Sequence, residues 1–385
     1  MKTIKPALMF GVAICMLAGL NNNSISAFET GANGNRPSAP ETEAVVAQSM
    51  NRVAKAVLGF LDDEGLPHKM ILGDISSLPK LKASGGTEIR RVLVIALEEA
   101  GIEMDDDAPT QLMGRFNLVE GRAHPDDDFD SLGMEVDLQI LDDNGSTLAE
   151  PEIRVWGKQV LQIAGLNVDI PTKGTEKARQ KEIIRQYKEP DTKIETNQIR
   201  TKNPFSMEIL VSNGGRHDTR EPYLDKKGRP FVDLHLREEY IVRLYNKADH
   251  EVAAMLVIDG VNVFINSKEE GVTPDSKFII KPGTFIDVPG WFITKHNSKA
   301  FEISGFEGSV AEGAGEHISS SNIGTITATF QACWEAGGKR PADEPGGNPK
   351  GGKATKAGRD LEKEYAVVVR DFGVVRSTIS VRYDR

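Results

Sequence analysis

The chain has 385 residues, more than one compact core usually serves, with 57 acidic against 47 basic residues and a formal charge of −10. An acidic surface repels phosphate backbones and anionic headgroups, so nucleic acid and membrane surfaces are poor partners. Apolar and charged residues make up 39% and 27%, an ordinary globular balance that excludes wholesale disorder.

Residues 1–27 read as a secretory signal peptide. Lys2 and Lys5 precede the apolar run Ala7 to Leu20, and the small residues of Ser24-Ile-Ser-Ala27 follow. That run is short for a membrane span, and nothing downstream is long or apolar enough to cross a bilayer. The expectation is an exported protein, periplasmic or extracellular. Without the leader, Cys333 is the only cysteine, so an intrachain disulfide and a cysteine zinc site are excluded. Ala332-Cys333-Trp334 reads as a buried structural thiol.

Residues 28–40, rich in Gly, Pro and Asn, form a flexible lead-in. From Glu41 the apolar residues Val45, Val46, Met50, Val53, Ala56, Val57, Phe60 and Leu61 recur at spacings of three and four, which predicts an amphipathic helix. Lys69 to Ile75 is a short strand. A second helix runs from about Gly86 to Ala100, with Thr87 able to cap its start and Gly101 at the C′ position. Strands follow at Pro109 to Val119, Met134 to Leu141, Ser146 to Ala149 and Glu152 to Gln159, with Asn144-Gly145 as a primed turn. This order predicts an α/β sandwich over residues 41–170. Residues 171–202 read as a charged connecting helix and linker, the helix ending before Pro190.

Residues 203–335 carry short strands at intervals of roughly ten residues, each bounded by turn residues, the pattern of an antiparallel β-sandwich. At their centre, two apolar runs flank Asp259-Gly260 within Glu251 to Ile265, a strong hairpin signal because a type I′ turn needs positive φ at both central residues. Residues 336–360 are a low-complexity Gly/Pro/Lys loop expected to be disordered. The chain then regains alternation over 361–385, read as a terminal hairpin completing the β domain. The fold class is therefore α+β in two domains.

Motifs that would carry chemistry are few. Gly347 to Ala354 resembles a phosphate-binding loop only in its glycines and Lys353, because Ala354 stands where magnesium needs Ser or Thr. Asp371-Phe-Gly373 has no kinase catalytic loop before it. The densest anionic stretch places carboxylates at Asp126, Asp128, Asp130 and Asp137, a spacing with partial likeness to a calcium loop, although Ser131 replaces the turn glycine and a solvated acidic connection is the favoured reading. The seven histidines show no metal-ligand spacing. Trp291, in Pro289-Gly290-Trp291-Phe292, offers a stacking platform for a sugar if exposed, with packing against the core as the plainer alternative. No catalytic residue and no cofactor are assigned.

Met70-Ile-Leu-Gly-Asp-Ile75, Ile89 to Ile102 and Gln111-Leu-Met-Gly-Arg-Phe116 together resemble the strand, helix and Gly-containing strand of the curli-secretion-channel and penicillin-binding-protein-activator group of envelope proteins. The chain lacks the lipid-anchoring cysteine usual in that group, so channel formation and outer-membrane anchoring are not implied. Gly324-Thr-Ile-Thr-Ala-Thr-Phe330 and Gly373 to Tyr383 resemble exported bacterial proteins of the same two-domain plan. The resemblance implies fold and export and supplies no activity. The expected function is non-enzymatic binding or scaffolding in the cell envelope through contacts with other envelope proteins. The alternative is a carbohydrate-binding or glycan-hydrolysing protein that uses the β domain.

Overall fold

The computed structural model describes residues 13–17, 25–28, 41–77, 89–105, 107–123, 125–156, 160, 164, 166–213, 216–226, 228–273, 276–314, 323–344, 365–368 and 370–383. The signal-peptide reading falls mostly outside them, apart from backbone at Ala13–Leu17 and Ile25–Phe28 that pairs beside Lys277–Ile280. Of the lead-in expected over 28–40 and the disordered loop expected over 336–360, residues 29–40 and 345–360 lie outside the described residues as well, whereas 336–344 are described and Glu344 is held there by the Val374 amide and Arg376. What is described is mostly β, with few helices and several sheets. None of those helices is long and apolar enough to cross a membrane.

The first helix, α1, spans Glu41–Asp63. Of the predicted stripe, Met50, Val53, Val57 and Leu61 are buried, with Ala54 beside them, whereas Ala56 is exposed and Phe60 half-buried. The second, α2, spans Ile89–Glu99 and buries Ile89, Leu93, Ala96 and Leu97. It stops where the sequence places a C′ glycine. Gly101 has φ +93°, and the amides of Gly101 and Ile102 return to the carbonyls of Glu98 and Leu97, which satisfies two otherwise orphaned acceptors. The expected cap Thr87 lies outside the described residues.

Both helices share a core with a six-stranded sheet. Lys69–Ser77 runs parallel to Glu103–Met104 and to Thr110–Gly121. Thr110–Gly121 then pairs antiparallel with Ser131–Asp142 along its whole length, from Thr110 opposite Asp142 to Gly121 opposite Ser131. Burial alternates along Thr110–Gly121, as one covered face requires. The turn after Ser131–Asp142 differs from the expected primed type. Asp142 Oδ1 accepts from the amides of Asn144 at 2.9 Å and Ser146 at 2.7 Å, and only Gly145, with φ +78°, is left-handed. A local carboxylate cap thus replaces the second positive-φ residue.

A second core lies between an eight-stranded and an eleven-stranded sheet. Met207, Val242, Leu244 and Ile286 enter it from the first, and Leu256, Phe278, Phe330 and Ile379 from the second. Phe205 stacks on Phe330 across it at 5.0 Å. All seven residues of Val252–Ile258 are buried, so this strand is covered on both faces. The Asp259-Gly260 turn has φ +52° and +81° and joins Ile258 to Val261 in antiparallel register, as predicted. Its second arm is only Val261–Asn262, because Val263 and Phe264 turn into the core.

Three expected segments are drawn differently. The linker over 171–202 contains a helix, α3, at Glu176–Lys188, and then a hairpin of Lys193–Glu195 with Gln198–Arg200 that joins the eight-stranded sheet. The strand expected at Ala300 to Phe306 is Asn297–Glu302. The terminal hairpin gives way to a short strand, Tyr365–Val368, and one long strand, Arg370–Arg382, paired antiparallel with Thr325–Glu335 from Glu335 opposite Arg370 to Thr325 opposite Arg382. The sequence break at Gly373 is absorbed as an irregularity in that pairing, so no chain reversal is needed.

Candidate functional site

The last strand slips register twice against its partner. Ser377 faces Phe330 and Val375 faces Gln331, which leaves Arg376 as an extra residue, and a second slip separates Val375 from Phe372. A bulge bends its strand and re-aims the extra side chain, here into the protein interior. Arg376 is 3% exposed, and its Nη2 donates to Glu344 Oε2 at 2.7 Å and Asp343 Oδ1 at 3.2 Å. Gly373 opens the space for this pair, since a Cβ there would stand 2.5 Å from Glu344 Cδ. Glu344 Oε1 also accepts from the Val374 amide at 2.8 Å. Burial pulls the Arg376 guanidinium below the usual arginine range and pushes the Glu344 carboxyl up, against the downward pull of Arg376. The pair is desolvated, and removing one partner from such a pair costs about 3–5 kcal/mol.

The same strand meets the segment that follows the first core. Val168–Asp169 pairs with Thr378 and Ser377. The buried Asp169 carboxylate accepts four hydrogen bonds: from Thr201 Oγ1, from Ser377 Oγ at 2.8 Å, and from the amides of Lys202 and Asn203 at 2.9 and 3.0 Å. Burial raises its pKa, with those donors pulling the other way. Helix α3 begins at Thr175, whose hydroxyl accepts from the Ala178 amide, and buries Ile183 in the first core. Gln186 projects from it to the Asp169 backbone, accepting from the amide at 2.8 Å and donating to the carbonyl at 2.9 Å. The Arg376 carbonyl in turn accepts from the Ile170 amide at 2.9 Å and from Asn203 Nδ2 at 2.7 Å.

Above this junction opens a cleft of about 320 Å³, lined by residues 169–173 and 202–205, Glu182, Gln186, His250, Asp343 and Arg376. Its walls mix Ile170, Pro171, Pro204 and Phe205 with donors and acceptors. Lys202 is paired with Asp191 at 2.8 Å, and Arg185 is paired with Glu182 and Asp191. Among the described residues, Arg376 Nε and Nη1 and His250 Nε2 are buried with no hydrogen-bond partner.

The residues singled out from the sequence lie elsewhere. Asp126, Asp128 and Asp130 sit on an exposed connection, where Asp128 Oδ2 takes Lys177 Nζ at 2.7 Å and that ammonium holds its carboxyl below the usual carboxylate range. Asp137 faces Arg115 and Glu152 within Ser131–Asp142, about 20 Å along the extended strand from Ser131. Among the described residues no three His, Cys, Asp or Glu side chains gather as metal ligands. Trp291 lies half-buried on Gly290–Thr294, opposite Lys299 and edge-on to Phe301 at 5.4 Å. Cys333 is buried in the second core.

Arg376, Glu344 and Asp169 went unnoticed in the sequence. The one available signal was Gly373 breaking the alternation three residues before Arg376. Fold and site together define a β-rich protein with few helices and a cleft of mixed polar and apolar lining between two cores. No model of a known protein family matches the chain, and no curated protein matches it.

Proposed function

We propose that the chain is an exported, non-enzymatic cell-envelope protein that binds or scaffolds other envelope proteins through protein contacts. In this reading an N-terminal α/β domain and a C-terminal β-sandwich are joined through α3, and the leader over residues 1–27 directs export. The observation that supports it is the junction at Asp169. Four donors on one buried carboxylate, with Gln186 bonded to the same residue's backbone, tie the two cores together through polar contacts made deep in the protein. A scaffold needs such a joint, because surfaces held at fixed spacing bind a partner without the entropic cost of ordering two loose bodies.

The test is affinity capture with residues 28–385, as wild type and as Trp291→Ala, from crosslinked envelope extract, followed by mass spectrometry. A reproducible protein partner held equally by both chains is the expected result. Retention of glycan fragments alone, lost on substitution of Trp291, would replace the proposal with the carbohydrate-binding alternative.

A further inference from the structure

We infer that the open face of the six-stranded sheet binds a neutral, β-linked glycan, with Trp156 as the platform on which one sugar ring stacks. This goes beyond the protein-contact reading and does not rest on it. Helices α1, α2 and α3 bury their apolar residues in the core on one face of that sheet. On the opposite face the alternate residues of Thr110–Gly121, from Gln111 to Val119, are half-buried or exposed, so that face is open to solvent.

Glu152–Trp156 pairs antiparallel with Ser131–Asp142 and sets Trp156 opposite Gly133 on the open face. A Cβ on Gly133 would stand within 2.8 Å of Trp156 Cδ2, Cε3 and Cζ3, three adjacent atoms of the six-membered ring, and one on Gly121 would stand 2.9 Å from Cη2. Approach to three adjacent ring atoms at once means that the face of the indole, rather than its edge, rests on the glycines. Trp156 is only half-buried in this seat, and among the described residues no other ring and no cation packs on it. One face of the indole is spent on the sheet and the other is turned outward. The negative face of an aromatic ring attracts the polarised C–H bonds on the flat side of a pyranose.

The charges beside the platform decide which ligand fits. The next row on the same face, about 6.7 Å along the extended strands, carries Asn117, Glu135 and Arg154 side by side. Glu135 Oε1 accepts from Arg154 Nε at 2.6 Å, and the row beyond sets Arg115 opposite Asp137. An incoming cation would have to take Glu135 from Arg154. An incoming anion would meet the connection at the Trp156 end of the sheet, where Asp126, Asp127, Asp128 and Asp130 outnumber Arg122 and the Lys177 already paired with Asp128. A sugar hydroxyl both donates and accepts, so it joins Glu135 and Arg154 without separating them. Equatorial β-linkages make a flat ribbon, the shape that an open sheet face accommodates.

The probes are cellotetraose and tri-N-acetylchitotriose, titrated into the full chain while the Trp156 indole N–H signal is followed by NMR. Tetragalacturonate and tetralysine are the charged comparisons. A saturable shift with a neutral oligosaccharide is expected, with affinity about tenfold weaker in Trp156→Ala, the upper end of what an aromatic contact is worth. Arg154→Gln, an exposed substitution that keeps the indole, should weaken binding a few-fold, and Trp291→Ala should bind as wild type. All variants are checked for wild-type circular dichroism; if Trp156→Ala fails to fold, the wild-type shift at Trp156 and the Arg154→Gln affinity decide. No shift with either neutral probe, or preference for either charged one, would overturn the inference, as would binding lost in Trp291→Ala and kept in Trp156→Ala. Preference for tetralysine would instead mark the face as a surface for basic peptides. Recovery of a protein partner from envelope extract bears only on the protein-contact reading, so the two proposals fail separately.

Discussion

Glu344 fills the space that a side chain at residue 373 would need: the carboxylate lies against Gly373, accepts the Val374 amide and pairs with buried Arg376. Gly373→Ala should therefore displace Glu344 and loosen its hold on Arg376. We expect a loss of about 1–3 kcal/mol, the usual range for forcing volume into a packed site, read from the urea midpoint. A midpoint equal to wild type would mean that Glu344 moves aside freely.

Asp259 combines a left-handed backbone with a structural carboxylate. Its φ is +52°, Oδ1 accepts from the amides of Gly324 at 2.8 Å and Thr325 at 3.3 Å, and Oδ2 accepts from Tyr383 Oη at 2.5 Å. Asp259→Gly should lose the hydrogen bonds but relieve the left-handed strain that Asp259 itself carries, whereas Asp259→Ala loses the same bonds and keeps the strain, so the alanine variant should be the less stable of the two by about 1–2 kcal/mol. Thermal unfolding of both variants separates the contributions, and equal losses would assign the whole effect to the side chain.

Gln186 is the peg between α3 and the junction. Gln186→Leu leaves the Asp169 amide and carbonyl without these partners in a buried site, at about 1–3 kcal/mol for each group. Hydrogen exchange at the Asp169 amide should accelerate ahead of global unfolding. Unchanged protection there would show that the strand pairing to Ser377 suffices alone.

Asp169 predicts a pH dependence. Burial raises its folded pKa above the ordinary aspartate value of 3.8, so the folded state holds the proton more tightly than the unfolded chain. Its contribution to stability is then complete below the unfolded pKa and declines as pH rises through the folded one. Asp169→Asn does not titrate there. Urea unfolding of both chains from about pH 3.5 to 7 should show the wild-type value falling relative to the variant as pH rises. The opposite slope would mean that the four donors outweigh burial.

Much of the architecture was legible because it depends on local pattern. The stripe Met50, Val53, Val57 and Leu61, the stop at Gly101 and the Asp259-Gly260 turn each follow from side-chain period or from backbone sterics within a few residues. The same logic explains the failures. Asn144-Gly145 has the letters of a primed turn, but the Asp142 side chain competes for the amides and selects another geometry.

Pattern alone could not reveal the junction. Asp169, Gln186, Thr201, Glu344 and Arg376 read in sequence as ordinary polar residues, and their partners lie 17 to 208 positions away. The sequence by itself determined where helices and strands arise, because those choices rest on backbone propensity and apolar period. Only the tertiary structure decided that Arg370–Arg382 is one bulged strand, that its extra residue is a buried arginine, and that a cleft opens above it. Long-range strand register sets which polar groups lose water together, and no local periodicity encodes that register.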